Sequence, residues 1–121
     1  NIMLNTPTIK QLNNVPDLYS TENIEFEEKL VYLHFTIDRC HWWAMEFDGE
    51  DTFFGFVMLN GWYQDAELGY FQLSELSEVK LGGIIEVECE PNWFTRPAKD
   101  IQLIREILEL KHCASKRIAN L

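Results

Sequence analysis

Apolar positions recur along this chain at two different periods. Leu30-Val31-Tyr32-Leu33-His34-Phe35-Thr36-Ile37 gathers β-branched and aromatic residues into a run of strand length. Trp42 to Phe47 and Thr52 to Leu59 repeat that density. Between them, Asp48-Gly49-Glu50-Asp51 supplies the Asp-Gly step of a tight hairpin, because both residues tolerate positive φ. Ala66 to Leu73 predicts a fourth strand. Ile84 to Cys89 predicts a fifth, with Ile85, Val87 and Cys89 alternating against Glu86, Glu88 and Glu90 so that one face is buried and the other wet. Toward the C-terminus the period changes. Ile101, Ile104 and Leu108 share one stripe with Leu103, Ile107 and Leu110 beside it, which predicts a helix over 98–117 wide enough to pack across the sheet.

The connections are shorter and more polar. Residues 3–29 form an arm with a short helix near Pro7, broken at Asn13-Asn14-Val15-Pro16 and anchored by Leu18-Tyr19, with Ser20 to Lys29 as a loop. Asn60 to Asp65 is a loop carrying Trp62 and Tyr63. Ser74 to Glu78 is one helical turn capped by Ser74, and Lys80 to Gly83 is a turn. The pattern predicts a single α+β domain, an antiparallel sheet of about five strands over 30–95 packed against a C-terminal helix. Asn1 and Ile2 precede Met3 and read as the scar of a removed expression tag.

Charge narrows the function classes. Ten Lys and Arg against 20 Asp and Glu give a formal charge of -10, a surface that repels nucleic acid and anionic membrane and favours a basic protein partner. The asymmetry is regional. From Cys40 to Val79 there are eight acids and no Lys or Arg, whereas six basic residues follow from Arg96 onward. An acidic face opposite a mildly basic C-terminal helix suits a partner, or a homodimer formed through that helix. Cys40, Cys89 and Cys113 are an odd set with no CxxC spacing, which points to a reducing cytoplasm, and no apolar run reaches the roughly 20 residues that span a bilayer.

Three stretches resemble a known family: Pro16-Asp17-Leu18-Tyr19; Glu46-Phe47-Asp48-Gly49-Glu50-Asp51-Thr52-Phe53-Phe54-Gly55; and Glu67-Leu68-Gly69-Tyr70-Phe71-Gln72-Leu73-Ser74-Glu75-Leu76. They are similar to the domain of unknown function 2958 family, small bacterial proteins often carried on plasmids and other mobile elements. The resemblance spans about residues 15–94 and implies an intracellular bacterial accessory factor of a mobile element; it brings no catalytic residues. Arg39-Cys40-His41, the longer insert at Trp62-Tyr63 and the C-terminal helix depart from the family pattern.

No catalytic, metal or cofactor grouping emerges from the residues. The acids Glu46, Asp48, Glu50 and Asp51 lack calcium-loop spacing, and Cys40-His41 with His112-Cys113 place ligands too close within each pair for a zinc site. His34 lies between Leu33 and Phe35 and points away from them, as a surface or hydrogen-bonded histidine. Trp42 and Trp43 must face opposite sides of the sheet, one in the core and the other outside it or under a loop. The leading expectation is a non-enzymatic interaction or regulatory module of a mobile element or defence locus. It would bind a basic partner through Glu46, Asp48, Glu50, Asp51, Trp62, Tyr63, Glu67 and Glu75, with DNA mimicry as its sharper form. The alternative is a small metal-dependent or Cys/His hydrolase drawing on His41, Glu46, Asp48 or His112, which requires those groups to converge in one pocket.

Overall fold

The computed structural model of the chain describes residues 3–119, so the reading of Asn1 and Ile2 as a tag scar lies outside the described residues. The arm carries α1 (Ile9–Asn13), started by a capping box in which Thr8 and Gln11 satisfy each other's backbone N–H groups. β1 (Leu30–Val31) and β2 (Leu33–Ile37) follow, then β3 (Cys40–Phe47), β4 (Thr52–Met58) and β5 (Glu67–Gln72). Next come α2 (Leu73–Glu78), β6 (Lys80–Leu81), β7 (Ile85–Glu86), β8 (Glu88–Cys89), β9 (Arg96–Pro97) and α3 (Gln102–Ala119). The main sheet has five antiparallel strands in the order β5-β4-β3-β2-β8, so the expected α+β architecture with its C-terminal helix is the observed one.

Several boundaries differ from the sequence pattern. The run Leu30–Ile37 divides at Tyr32, because Leu30 and Val31 turn aside to pair with Pro97 and Arg96 of β9. The fifth-strand run also divides. Gly82 and Gly83, both at positive φ, close a small β6–β7 hairpin, and only Glu88-Cys89 reaches the main sheet, beside β2. Ser74 is not the cap of α2. Asp51, reaching across from the hairpin, accepts the Ser74 N–H at 2.8 Å and its hydroxyl at 2.6 Å, so the hairpin fixes the start of the helix.

Both faces of the sheet are covered, which revises the expectation for the paired tryptophans. Trp42 packs with Leu33, Phe35, Phe53 and Phe71 under α2 and the arm, while Trp43 packs with Met45, Phe56, Ile104 and Ile107 under α3. Both are therefore core residues. A β-bulge between Ala44 and Glu46 adds one residue to β3, which turns Glu46 to the α3 face opposite Phe54 and returns Phe47 to the other core opposite Phe53. Gly55 permits this. A Cβ there would collide with the Trp43 carbonyl oxygen where β4 approaches the bulge.

The sheet's two edges are finished differently. Along β8, Leu4 of the arm pairs in parallel with Glu88, its N–H donating to Val87 at 3.0 Å and its carbonyl accepting from Cys89 at 2.9 Å. Along β5 the register with β4 is unbroken from Glu67↔Val57 to Gln72↔Thr52, and among the described residues no other backbone pairs with it.

Candidate functional site

The sequence of β5 does little to guard its open edge. It has no lysine, proline or bulge, the devices that usually blunt a free edge, and every second residue of an antiparallel edge strand turns its N–H and C=O outward. Leu68 and Tyr70 stand exposed on the α3 face, beyond the stretch that the helix covers. A cleft lies on either side of the strand. The first, about 410 Å3, is lined by Tyr19, Glu22, Lys29, Glu46, Phe54, Leu68 and Tyr70. The second, about 440 Å3, opens between Val57, Leu59, Trp62, Asp65, Glu67 and Gly69 and shares Leu68 and Tyr70 with the first. At Gly69 nothing would meet a Cβ, so the missing side chain leaves this second floor open.

The base of the first cleft is polar yet buried, Glu46 being 3% and Lys29 6% exposed. Thr21 connects them. Its N–H donates to Glu46 Oε2 at 3.1 Å and its hydroxyl donates to the same oxygen, while its carbonyl and hydroxyl accept from Lys29 Nζ at 2.5 and 3.0 Å. Glu46 Oε1 accepts the Tyr19 N–H at 2.7 Å, with Tyr19 held in the left-handed region at φ 70°. Burying two charges costs free energy that only such paired hydrogen bonds offset. The loop over 17–29 is thereby tied to the bulge of β3, and it brings Tyr19 and Glu22 beside Phe54 and Tyr70.

A second polar cluster lies on the α3 face near β8. Glu90 Oε1 is 2.7 Å from His34 Nδ1, and His34 Nε2 is 2.9 Å from His41 Nδ1. A neutral His34 that donates to Glu90 accepts the His41 Nδ1–H, which leaves His41 Nε2 as an acceptor. Burial lowers the pKa of His34 below the ordinary value despite Glu90, and burial with the neighbouring His34 takes His41 down to about 4. Both rings lie beside Trp43, and Arg96 stacks on Trp93 and Phe94 close by. His34 thus sits opposite Leu33 and Phe35, as its place in the strand implies, and it is buried and hydrogen-bonded.

The eight residues expected to bind a partner do not form one face. Glu46 is buried, a correction to its place on an acidic surface, because the bulge turns it inward onto Thr21. Asp48 accepts the N–H groups of Glu50, Asp51 and Thr52, which hold its carboxyl below the ordinary value, and Asp51 is engaged by Ser74. Both acids are committed to the hairpin. Tyr63 is half-buried against the α3 core, and Glu50 and Glu75 are exposed near the hairpin and α2. Trp62, 60% exposed, and Glu67 line the second cleft beside β5, and Glu46 lines the first only from its buried base.

The groups named for a hydrolase are also separately engaged. His41 bonds His34, Glu46 bonds Thr21 and Tyr19, Asp48 closes its hairpin, and His112 is exposed on α3; none of the four hydrogen-bonds another. Among the described residues no three His, Cys, Asp or Glu side chains are arranged to hold a metal ion. Tyr19, Leu68 and Tyr70 were not singled out as site residues from the sequence, although the unguarded composition of Glu67–Gln72 was the available signal. Comparison with protein families, curated proteins and solved structures finds no match for this chain.

Proposed function

We propose that this chain is a non-enzymatic interaction module that takes up an extended, basic segment of a partner protein as a sixth strand along β5. The observation that carries the reading is the unpaired backbone edge of β5 between two clefts. Main-chain hydrogen bonds supply affinity in strand addition, and pockets for alternate side chains supply specificity. Successive side chains of the added strand point to opposite faces, and the two clefts lie to either side of β5. Charge selects the segment. Glu22, Asp65 and Glu67 rim the clefts of a chain with formal charge -10, so a basic segment is steered in and an acidic one repelled. A module of this kind would suit an accessory factor of a mobile element, which is what the resemblance of residues 15–94 implies. DNA mimicry is less well supported, since Glu46, Asp48 and Asp51 are spent on internal hydrogen bonds.

The test is a display selection of random extended peptides on the wild-type protein and on Leu68→Lys, which introduces the charge that natural edges use against pairing. Wild-type selection is expected to enrich basic, β-prone peptides that slow amide exchange at residues 67–72. Leu68→Lys should melt at nearly the wild-type temperature and bind them roughly tenfold or more weakly. Protection that maps away from β5, or equal binding by both proteins, rejects strand addition.

A further inference from the structure

We infer that the cleft between Tyr19, Phe54 and Tyr70 seats the cationic end of an arginine or lysine side chain carried by the segment that adds to β5; the inference rests on the strand-addition reading. Three rings converge there from two regions of the chain. Phe54 and Tyr70 face each other across β4 and β5 with centroids 5.1 Å apart at 55°, and Tyr19 closes the cleft from the loop that Glu46 and Thr21 hold down. Tyr19 and Tyr70 are 61% and 56% exposed, so their surfaces are open to an entering group. A cation over such rings gains from their quadrupoles, and Leu68 with Phe54 offers apolar surface to a methylene stem.

The charges agree with that occupant. Lys29 lines the cleft, but its ammonium already donates twice to Thr21, and the Glu46 carboxylate balances it through the same residue. Glu22 at the rim then has no compensating cation within salt-bridge distance among the described residues. The Tyr70 phenol is held above its ordinary pKa first by its hydrogen bond with Tyr19 and then by desolvation, with Glu46 and Glu22 adding the smallest contributions. The Glu22 carboxylate at the rim favours a guanidinium or ammonium and disfavours a carboxylate.

Titration of isotope-labelled protein with N-acetyl-arginine methylamide, and with the citrulline analogue of equal shape and no charge, tests this directly. The arginine probe is expected to shift the resonances of Tyr19, Phe54, Leu68 and Tyr70, with roughly tenfold weaker binding for citrulline and for Tyr70→Leu or Glu22→Gln, both exposed positions that leave the fold intact. Equal response to the two probes, or shifts centred elsewhere, overturns the inference. A basic peptide that protects the β5 amides while the arginine probe leaves the cleft unshifted would keep strand addition and remove the cation seat. Shifts in the cleft without β5 protection by any peptide would do the reverse.

Discussion

At one edge of the sheet β8 is two residues long and has the arm bonded along it; at the other β5 runs six residues and, among the described residues, has no backbone beyond β4 bonded to it. The same sheet thus hides one template for strand pairing and displays another. Open edges carry a risk of aggregation, and a chain that spends an arm on covering one edge has the means to cover an edge. What surrounds β5 is the opposite of protection. Exposed Leu68 and Tyr70 and two clefts adjoin it, and only the acids of the rim discourage indiscriminate pairing. Under the strand-addition proposal, the open edge is selective and the acids of the rim are its filter.

The largest effect is expected where the open edge rests on its buried base. Glu46→Leu strands the Tyr19 and Thr21 donors and leaves Lys29 buried without a compensating charge, so unfolding free energy should fall by about 3–5 kcal/mol. Denaturant melts measure it; a loss well below 1 kcal/mol would show that the network contributes little beyond shape.

An intermediate effect is expected at the covered edge. Leu4→Pro removes the N–H that reaches the Val87 carbonyl, on a fully buried residue, at a cost of about 1–3 kcal/mol. The freed β8 edge should also promote self-association detectable by sedimentation. If the variant stays monomeric, the arm serves packing and not edge protection.

The smallest effect is a pH dependence near the same edge, where His34 and His41 lie on the two strands next to β8. Both are held below the ordinary histidine value, so between about pH 6.5 and 4 the unfolded chain binds protons that the folded chain refuses. Stability is therefore complete above about pH 6.5 and declines as pH falls toward 4. Amides of β2 and β8 should lose exchange protection before those of β4 and β5. A profile that is flat across this range, or unchanged in His41→Gln, would place the decline elsewhere.

Much of the fold could be read in the chain, and the reasons are local. Asp-Gly at the hairpin, the β-branched and aromatic runs and the 3.6-residue period of Ile101, Ile104 and Leu108 each report on neighbours a few residues away. The site was read less well. Glu46 looked like one acid among four in a hairpin, and only the bulge, a register event between β3 and β4, turns it to the α3 face, where Tyr19 and Thr21 meet it. Tyr19 lay in what looked like an irregular arm, yet its N–H is bonded to a residue 27 positions on. Asp48 and Asp51 looked free because the backbone donors that occupy them are set by the turn geometry and by α2.

The amino-acid sequence by itself determined the α+β class, the order of strands and helix, the acid-rich middle and the absence of any guard residue in Glu67–Gln72. These follow from periodicity and composition, which act over short range. Tertiary structure alone decided that both tryptophans are core, that the arm takes the β8 edge and leaves β5 open, and that Tyr19, Phe54 and Tyr70 meet above a buried Glu46–Thr21–Lys29 network. Each of those depends on which distant segments share a face, and that choice is made by packing two covered sides of one sheet at once.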